Sequence, residues 1–251
     1  CIRDRQKTQR STPQPWKRKA VLFLASQGIS LFGSAIVQMA MIWHVALETS
    51  SGIWVTLLTL SATVPQAVIS LFAGVWADRF HRKKMVMLAD TAIAVTTLAL
   101  AVFMQTTASE NALPVIILVS AIRSLATGIQ TPAVNALLPQ LVPEEHLTRF
   151  NGLNGSIQSI AQFAAPAATG AVLKLGSFAN ILYIDVVTAA LAVGMLALIH
   201  VGKHSVQENG EEGYIASIGH GVRYATSHKV VLRTLLTFRL FIFFSVPSGF
   251  L

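Results

Sequence analysis

Long apolar runs alternate with short polar connections along the whole chain. At a rise of 1.5 Å per residue, about 20 apolar residues cross the roughly 30 Å of hydrocarbon in a bilayer, and seven segments reach that length. They are approximately Ala20–Val45, Ile53–Ala77, Val86–Thr106, Pro114–Leu138, Leu153–Leu173, Phe178–Ile199 and Val230–Leu251. The connection at 200–229 is the one real linker. It is polar from His200 to Gly213, after which Ile215, Ile218, Val222 and Ala225 recur at helical spacing, predicting a flexible stretch and then an amphipathic surface helix. The predicted architecture is all-α: a basic arm over 1–19, a six-helix transmembrane bundle over 20–199, the linker over 200–229, and a seventh helix over 230–251 that starts a second bundle.

Polar residues recurring every three or four places mark helix faces turned to protein or water. Helix 1 carries Gln27, Ser30, Ser34 and Gln38; helix 2 carries Thr56, Thr59, Thr63, Gln66, Ser70 and then Gly74. Helix 4 carries Ser120, Ser124, Thr127, Thr131 and Asn135, with Arg123 and Gln130 beside the stripe, and helix 5 carries Gly155, Gln158, Gln162 and Thr169. Helices 3 and 6 are plainer, with one aspartate each. Small and hydroxyl residues also serve close helix packing or bond their own backbone, whereas the glutamines point either to a polar cavity wall or to interhelical hydrogen bonds. Prolines at 65, 132 and 166 loosen helices 2, 4 and 5.

Composition places the chain in a membrane. Apolar residues are 53% and charged residues 12%, with a mean hydropathy of +0.59, against about 25% charged residues in a soluble domain. The net charge of +8 does not indicate nucleic acid, because seven of the nineteen Lys and Arg precede Ala20 and four more lie in the 78–84 hairpin. Basic connections therefore alternate with connections holding only Glu48, Glu110 and Lys174, which places the amino terminus in the cytoplasm. Cys1 is the only cysteine, so there is neither a disulfide framework nor a thiolate metal site. No nucleophile–base pair, phosphate loop or metal-ligand spacing is visible, so no enzyme and no cofactor is expected. A chain starting at Cys1 and stopping at Leu251, inside an apolar run, reads as a fragment of a longer protein.

Charges inside spans are the strongest single-residue signals. Arg123 lies eight residues beyond Val115, roughly 12 Å deep, where insertion scales assign it a cost of about 2.5–3.5 kcal/mol. Asp185 enters helix 6 from the same face at comparable depth, so a charge pair is within geometric reach, serving structure, proton coupling or substrate. Asp90 lies six residues past Lys84, about 9 Å below the surface, where Arg79 or Arg82 reaching back would make a latch, a reading favoured over a proton site.

The hairpin Gly74-x-x-x-Asp78-Arg79-x-His81-Arg82-Lys83 resembles the G-x-x-x-D-R-x-G-R-R/K signature between helices 2 and 3 of the major facilitator superfamily, with His81 in place of the second glycine. The runs Gln27-Gly28-Ile29-Ser30-Leu31, Ile122-Arg123-Ser124, Thr131-Pro132-Ala133-x-Asn135-Ala136 and Leu141-Val142-Pro143-Glu144-Glu145-x-Leu147 are similar to its macrolide-efflux branch. The resemblance covers essentially the whole chain, as the first half plus one helix. It implies a multi-pass transporter of the bacterial inner membrane that exports lipophilic drugs such as macrolides by alternating access of two six-helix halves, with proton antiport as the driving force. Its partners would be the bilayer, a lipophilic small molecule, protons and the second half. By the same resemblance, Gly74, Asp78, Arg79, Arg82 and Lys83 would form the cytoplasmic gate and Arg123 would take part in proton coupling, while depth within the spans adds Asp90 to the gate and Asp185 to the coupling site. Gln27, Ser34, Gln38, Thr63, Gln66, Thr127, Gln130, Asn135, Gln158 and Gln162 would line the path. The antiporter motif G-x8-G-P-x-x-G-G of helix 5 is represented by Ser156-x8-Ala165-Pro166-x-x-Thr169-Gly170, where Pro166 and Gly170 would serve helix packing. A siderophore exporter, a metabolite importer, a membrane scaffold or an inactive truncated product shares these features.

Overall fold

The computed structural model describes residues 15–106 and 112–200, then 227–228, 230–234, 236–237 and 240. The chain divides into two units, Cys1–Val206 and Gln207–Leu251. The described residues of the first form six helices: α1 (Pro15–Thr49), α2 (Gly52–Arg79), α3 (Arg82–Thr106), α4 (Ala112–Leu141), α5 (Glu144–Leu175) and α6 (Phe178–Ala197). They coincide with the six predicted spans and overrun most of them into charged flanks such as Lys17, Arg18 and Lys19 in α1 and Glu144, Glu145 and Arg149 in α5. In the second unit, residues 230–234 are helical. The predicted surface helix at 215–225 and most of the basic arm lie outside the described residues, as does much of the seventh span.

Among the described residues five helices are both long and apolar enough to cross a membrane: α1, α2, α3, α4 and α6. The predicted fifth span is a helix of 32 residues, but Asn151, Asn154, Gln158 and Gln162 dilute its apolar content below that of a segment facing lipid all round. The turn between α2 and α3 also differs from expectation. Among the described residues only Ser50 is a non-glycine with positive φ, so the hairpin closes without a left-handed residue at His81. Phe80 is instead extended (φ −109°, ψ 164°), with its N–H donating to the Trp76 carbonyl at 2.8 Å. Glycine is not needed at position 81 to make this turn.

Within the bundle, α4 packs on α2 and α3, α6 packs on α3 and α1, and α5 packs on α1. Two apolar clusters occupy the two ends. One contains Ile36, Met41, Leu100, Ile116, Ile181 and Leu182; the other, at the hairpin end, contains Phe23, Val86, Leu137, Leu138, Phe150 and Leu196. The residues between them on each helix include a buried polar layer: Gln27 and Ser30 on α1, Asp90 and Thr97 on α3, Arg123 and Gln130 on α4, and Asp185 on α6. The outward faces invert this pattern. Leu88, Val95 and Val102, spaced by seven on α3, are exposed, as expected where lipid rather than water is the solvent.

Close backbone approach fixes two contacts. A Cβ on Gly128 would collide with the Ile69 side chain and come within 2.8 Å of the Gln66 carbonyl oxygen, so α4 meets α2 backbone to side face. A Cβ on Gly33 would collide with the Thr188 hydroxyl and lie 3.3 Å from Asp185 Oδ1. Gly74, by contrast, has nothing within 4 Å of such a Cβ. Gly128→Val is therefore expected to destabilise the bundle by about 1–3 kcal/mol through overpacking, measured as thermal unfolding in detergent, whereas Gly74→Ala leaves the transition where it is.

Candidate functional site

Asp185 is completely buried on α6, and both of its carboxylate oxygens are occupied. Ser34 Oγ of α1 donates to Oδ1 at 3.0 Å. Thr97 Oγ1 of α3 donates to Oδ2 at 2.9 Å, and Arg123 Nη1 of α4 makes an ion pair with the same oxygen. Arg123 also donates to Thr97 Oγ1 and is only 6% exposed. Four helices thus converge on one carboxylate. A buried charge is tolerated only when paired and hydrogen-bonded, and this node supplies both conditions. The pairing of Arg123 with Asp185, within reach on sequence depth alone, is realised in the fold. Thr97 is the member that sequence reading missed, since one threonine in a plain apolar helix carries no pattern.

A second node lies towards the hairpin end, one turn away on α1 and two turns away on α3 and α4. Asp90 of α3 is 1% exposed and accepts from Ser30 Oγ of α1 at 2.6 Å and from Gln130 Nε2 of α4 at 2.7 Å. Both donors address Oδ1, while Oδ2 is buried without a hydrogen-bond partner. The structure ties Asp90 to α1 and α4 in the bundle interior. Gln27, one turn before Ser30, is also buried with its Nε2 unpartnered.

The hairpin cations meet helix C-termini. Arg82 Nε donates to the Ala77 carbonyl and Nη1 to the Ala136 carbonyl, each at 2.9 Å. Lys83 Nζ donates to the carbonyls of Ala197 and Ile199 at 3.0 and 2.8 Å, and Lys19 Nζ donates to that of His200 at 2.9 Å. Since α2, α4 and α6 all end at this side of the bundle, the basic residues sit near the negative ends of three helices, and those on Ala77 and Ala197 satisfy carbonyls left open there. The side chains of Asp78 and Arg79 lie outside the described residues.

The remaining expected residues divide between lining and packing. Thr63, Gln66, Ser70, Thr131, Pro132 and Asn135 line a cavity of about 500 Å³ between α2 and α4. The Gln66 N–H, one residue past Pro65, donates to Ser124 Oγ of α4 at 2.9 Å, bracing the proline-bearing turn of α2. Many hydroxyls satisfy their own helix: Thr56, Thr59, Thr63 and Thr127 each donate to the carbonyl four residues back. Gln38 and Gln158 are half-buried and Gln162 is exposed. On α5, Thr169 Oγ1 donates to the Ile36 carbonyl of α1 at 3.2 Å, and Gly170 faces Trp43, with half-buried Pro166 one turn earlier. His44 stacks on Phe178 at a centroid distance of 4.4 Å, a packing role. Among the described residues no three His, Cys, Asp or Glu side chains are grouped to hold a metal ion.

The Arg123–Asp185 node makes a quantitative expectation. Arg123→Leu or Asp185→Leu alone leaves an uncompensated buried charge and costs about 3–5 kcal/mol, while the double variant loses markedly less than the sum. Thermal unfolding of the purified variants checks this coupling.

The Major Facilitator Superfamily profile matches residues 21–251. Macrolide efflux protein A of Streptococcus pyogenes is 33% identical over 235 residues, covering 92% of this chain and 57% of the relative. A protein of the same name from Enterococcus faecalis is 31% identical over 193 residues, covering 76% and 58%. The Staphyloferrin A transporter of Staphylococcus aureus is 24% identical over 155 residues, covering 61% and 38%. The chain spans somewhat over half the length of the macrolide efflux proteins it matches. With its stacked apolar helices and buried polar layer, this multi-pass membrane protein belongs to the major facilitator superfamily.

Proposed function

We propose that the chain forms the first half of a secondary active exporter of lipophilic drugs of the macrolide class, driven by a proton gradient across the bacterial inner membrane. The observation that carries this reading is the buried Arg123–Asp185 ion pair joining α1, α3, α4 and α6. A charge pair at this depth is costly to build and holds together the helices that alternating access must move. Protonation of Asp185 removes the charge that Arg123 compensates, so occupancy by a proton and the arrangement of four helices are linked. The similarity to macrolide efflux proteins over most of the chain supports the drug-export reading.

The gate assignment rests on the hairpin. Arg82 and Lys83 anchor the C-terminal ends of α2, α4 and α6, and Gly74 faces open space within this bundle. Asp78 would then be the element of the hairpin that meets a helix N-terminus in the second half, where a carboxylate is stabilised by the helix dipole. The cavity between α2 and α4 supplies a polar wall for the translocation path. The basic residues at the hairpin end put that end, and the amino terminus, in the cytoplasm. Export of a siderophore is the second reading, favoured by the similarity to the staphyloferrin A transporter.

Everted vesicles carrying the natural full-length protein and a labelled macrolide test the proposal. Gradient-dependent accumulation is expected, with loss of it on Asp185→Asn. Asp78→Ala is expected to abolish transport while leaving the amount of inserted protein unchanged; export at the parental rate would remove Asp78 from the gate. Labelled siderophore accumulating in place of macrolide would move the cargo to the second reading.

A further inference from the structure

The two buried aspartates present opposite hydrogen-bond patterns. Asp185 uses both oxygens and faces a guanidinium, which is how an ionised carboxylate is satisfied. Asp90 receives both of its donors, Ser30 and Gln130, on Oδ1, and its Oδ2 has no partner. Two hydrogen bonds to one oxygen and none to the other suit a neutral acid, whose carbonyl oxygen accepts twice and whose other oxygen carries the proton. An ionised Asp90 would leave negative charge on an unsolvated Oδ2 inside the bundle, among the costliest arrangements a membrane protein can hold.

The surrounding charges agree with this assignment. From α6 the ionisable group in the same polar layer is Asp185, whose own charge is met by Arg123. From α4 it is Arg123, which is held by Asp185 and Thr97 two turns further along. Ser30, the α1 residue bonded to Asp90, is uncharged, and on α3 itself Arg82 and Lys83 reach backbone carbonyls at the hairpin end. Gln27 carries a buried amide whose Nε2 is unpartnered, one turn from Ser30 on α1.

We propose that Asp90 is a proton-binding site separate from the Arg123–Asp185 pair, carrying its proton on Oδ2 in the arrangement seen here and releasing it as the helices rearrange. The event is one O–H bond broken at Oδ2, with the proton passing to water admitted along the moving helices and the negative charge remaining on Asp90. The buried, unpartnered Nε2 of Gln27, one turn from Ser30 on α1, is a donor that helix movement would have to bring to the resulting carboxylate. The release step rests on the transporter reading; the protonated state does not.

Infrared spectroscopy of the full-length protein in liposomes, without any cargo, tests the site directly. A protonated-carboxyl C=O band is expected at neutral pH, bleaching on alkalinisation and absent in Asp90→Asn. Ser30→Ala, which keeps the carboxyl, is expected to move that band to higher frequency because the carbonyl oxygen loses a hydrogen bond. No such band in the parent, a band that survives Asp90→Asn, or one unmoved by Ser30→Ala overturns the assignment. For the release step, Asp90→Asn vesicles are expected to lose gradient-driven accumulation of labelled macrolide yet retain downhill exchange; accumulation at the parental level overturns it. Because the infrared arms use no cargo, a failure of the drug-export reading is distinguishable from a failure of the proton site.

Discussion

One carboxylate sets the constraint on which the bundle depends. Asp185 is fully buried and ionic in its contacts, so the helices around it must deliver a cation and hydroxyl donors to a single point. Ser34, Thr97 and Arg123 do so from α1, α3 and α4. In hydrocarbon there is little hydrophobic drive to bring helices together, because lipid tails are as apolar as leucine. Packing complementarity and satisfied polar contacts take over that work. The close approaches at Gly33 and Gly128 provide the first, and the fully bonded Asp185 node within the polar layer provides the second.

The two acidic nodes lie at different levels of that layer, and the helices that link them are the same. Ser30 and Ser34 are one turn apart on α1, while Asp90 and Thr97 on α3 and Gln130 and Arg123 on α4 are two turns apart. A displacement of α1 along α3 or α4 therefore disturbs both nodes together. The hairpin end adds a second kind of restraint. Its cations do double duty: their position follows the charge rule for membrane topology, and their hydrogen bonds go to carbonyls at the ends of α2, α4 and α6.

The sequence by itself determined the helices. The order and approximate limits of the six described helices follow from the runs of apolar residues, although the fifth is less apolar than a membrane span, and the family follows from the Gly74–Lys83 hairpin together with similarity over most of the chain. Arg123 and Asp185 were legible as residues needing partners, because a charge at such depth is expensive wherever it sits. What the sequence did not contain was the set of distances between helices. Thr97 looked like any threonine in an apolar helix, and only the packing of α3 between α4 and α6 turned it into a ligand of the ion pair. Asp90 was read by its nearness in sequence to the basic hairpin, yet its environment is set by α1 and α4. The polar stripe of α2 was likewise visible, but its division into backbone-bonded hydroxyls and cavity-lining groups was not. The physical reason is common to all three. Hydropathy is a one-dimensional property fixed by the solvent each segment must cross, whereas the partner of a buried polar group is fixed by interhelical geometry, which only tertiary packing decides.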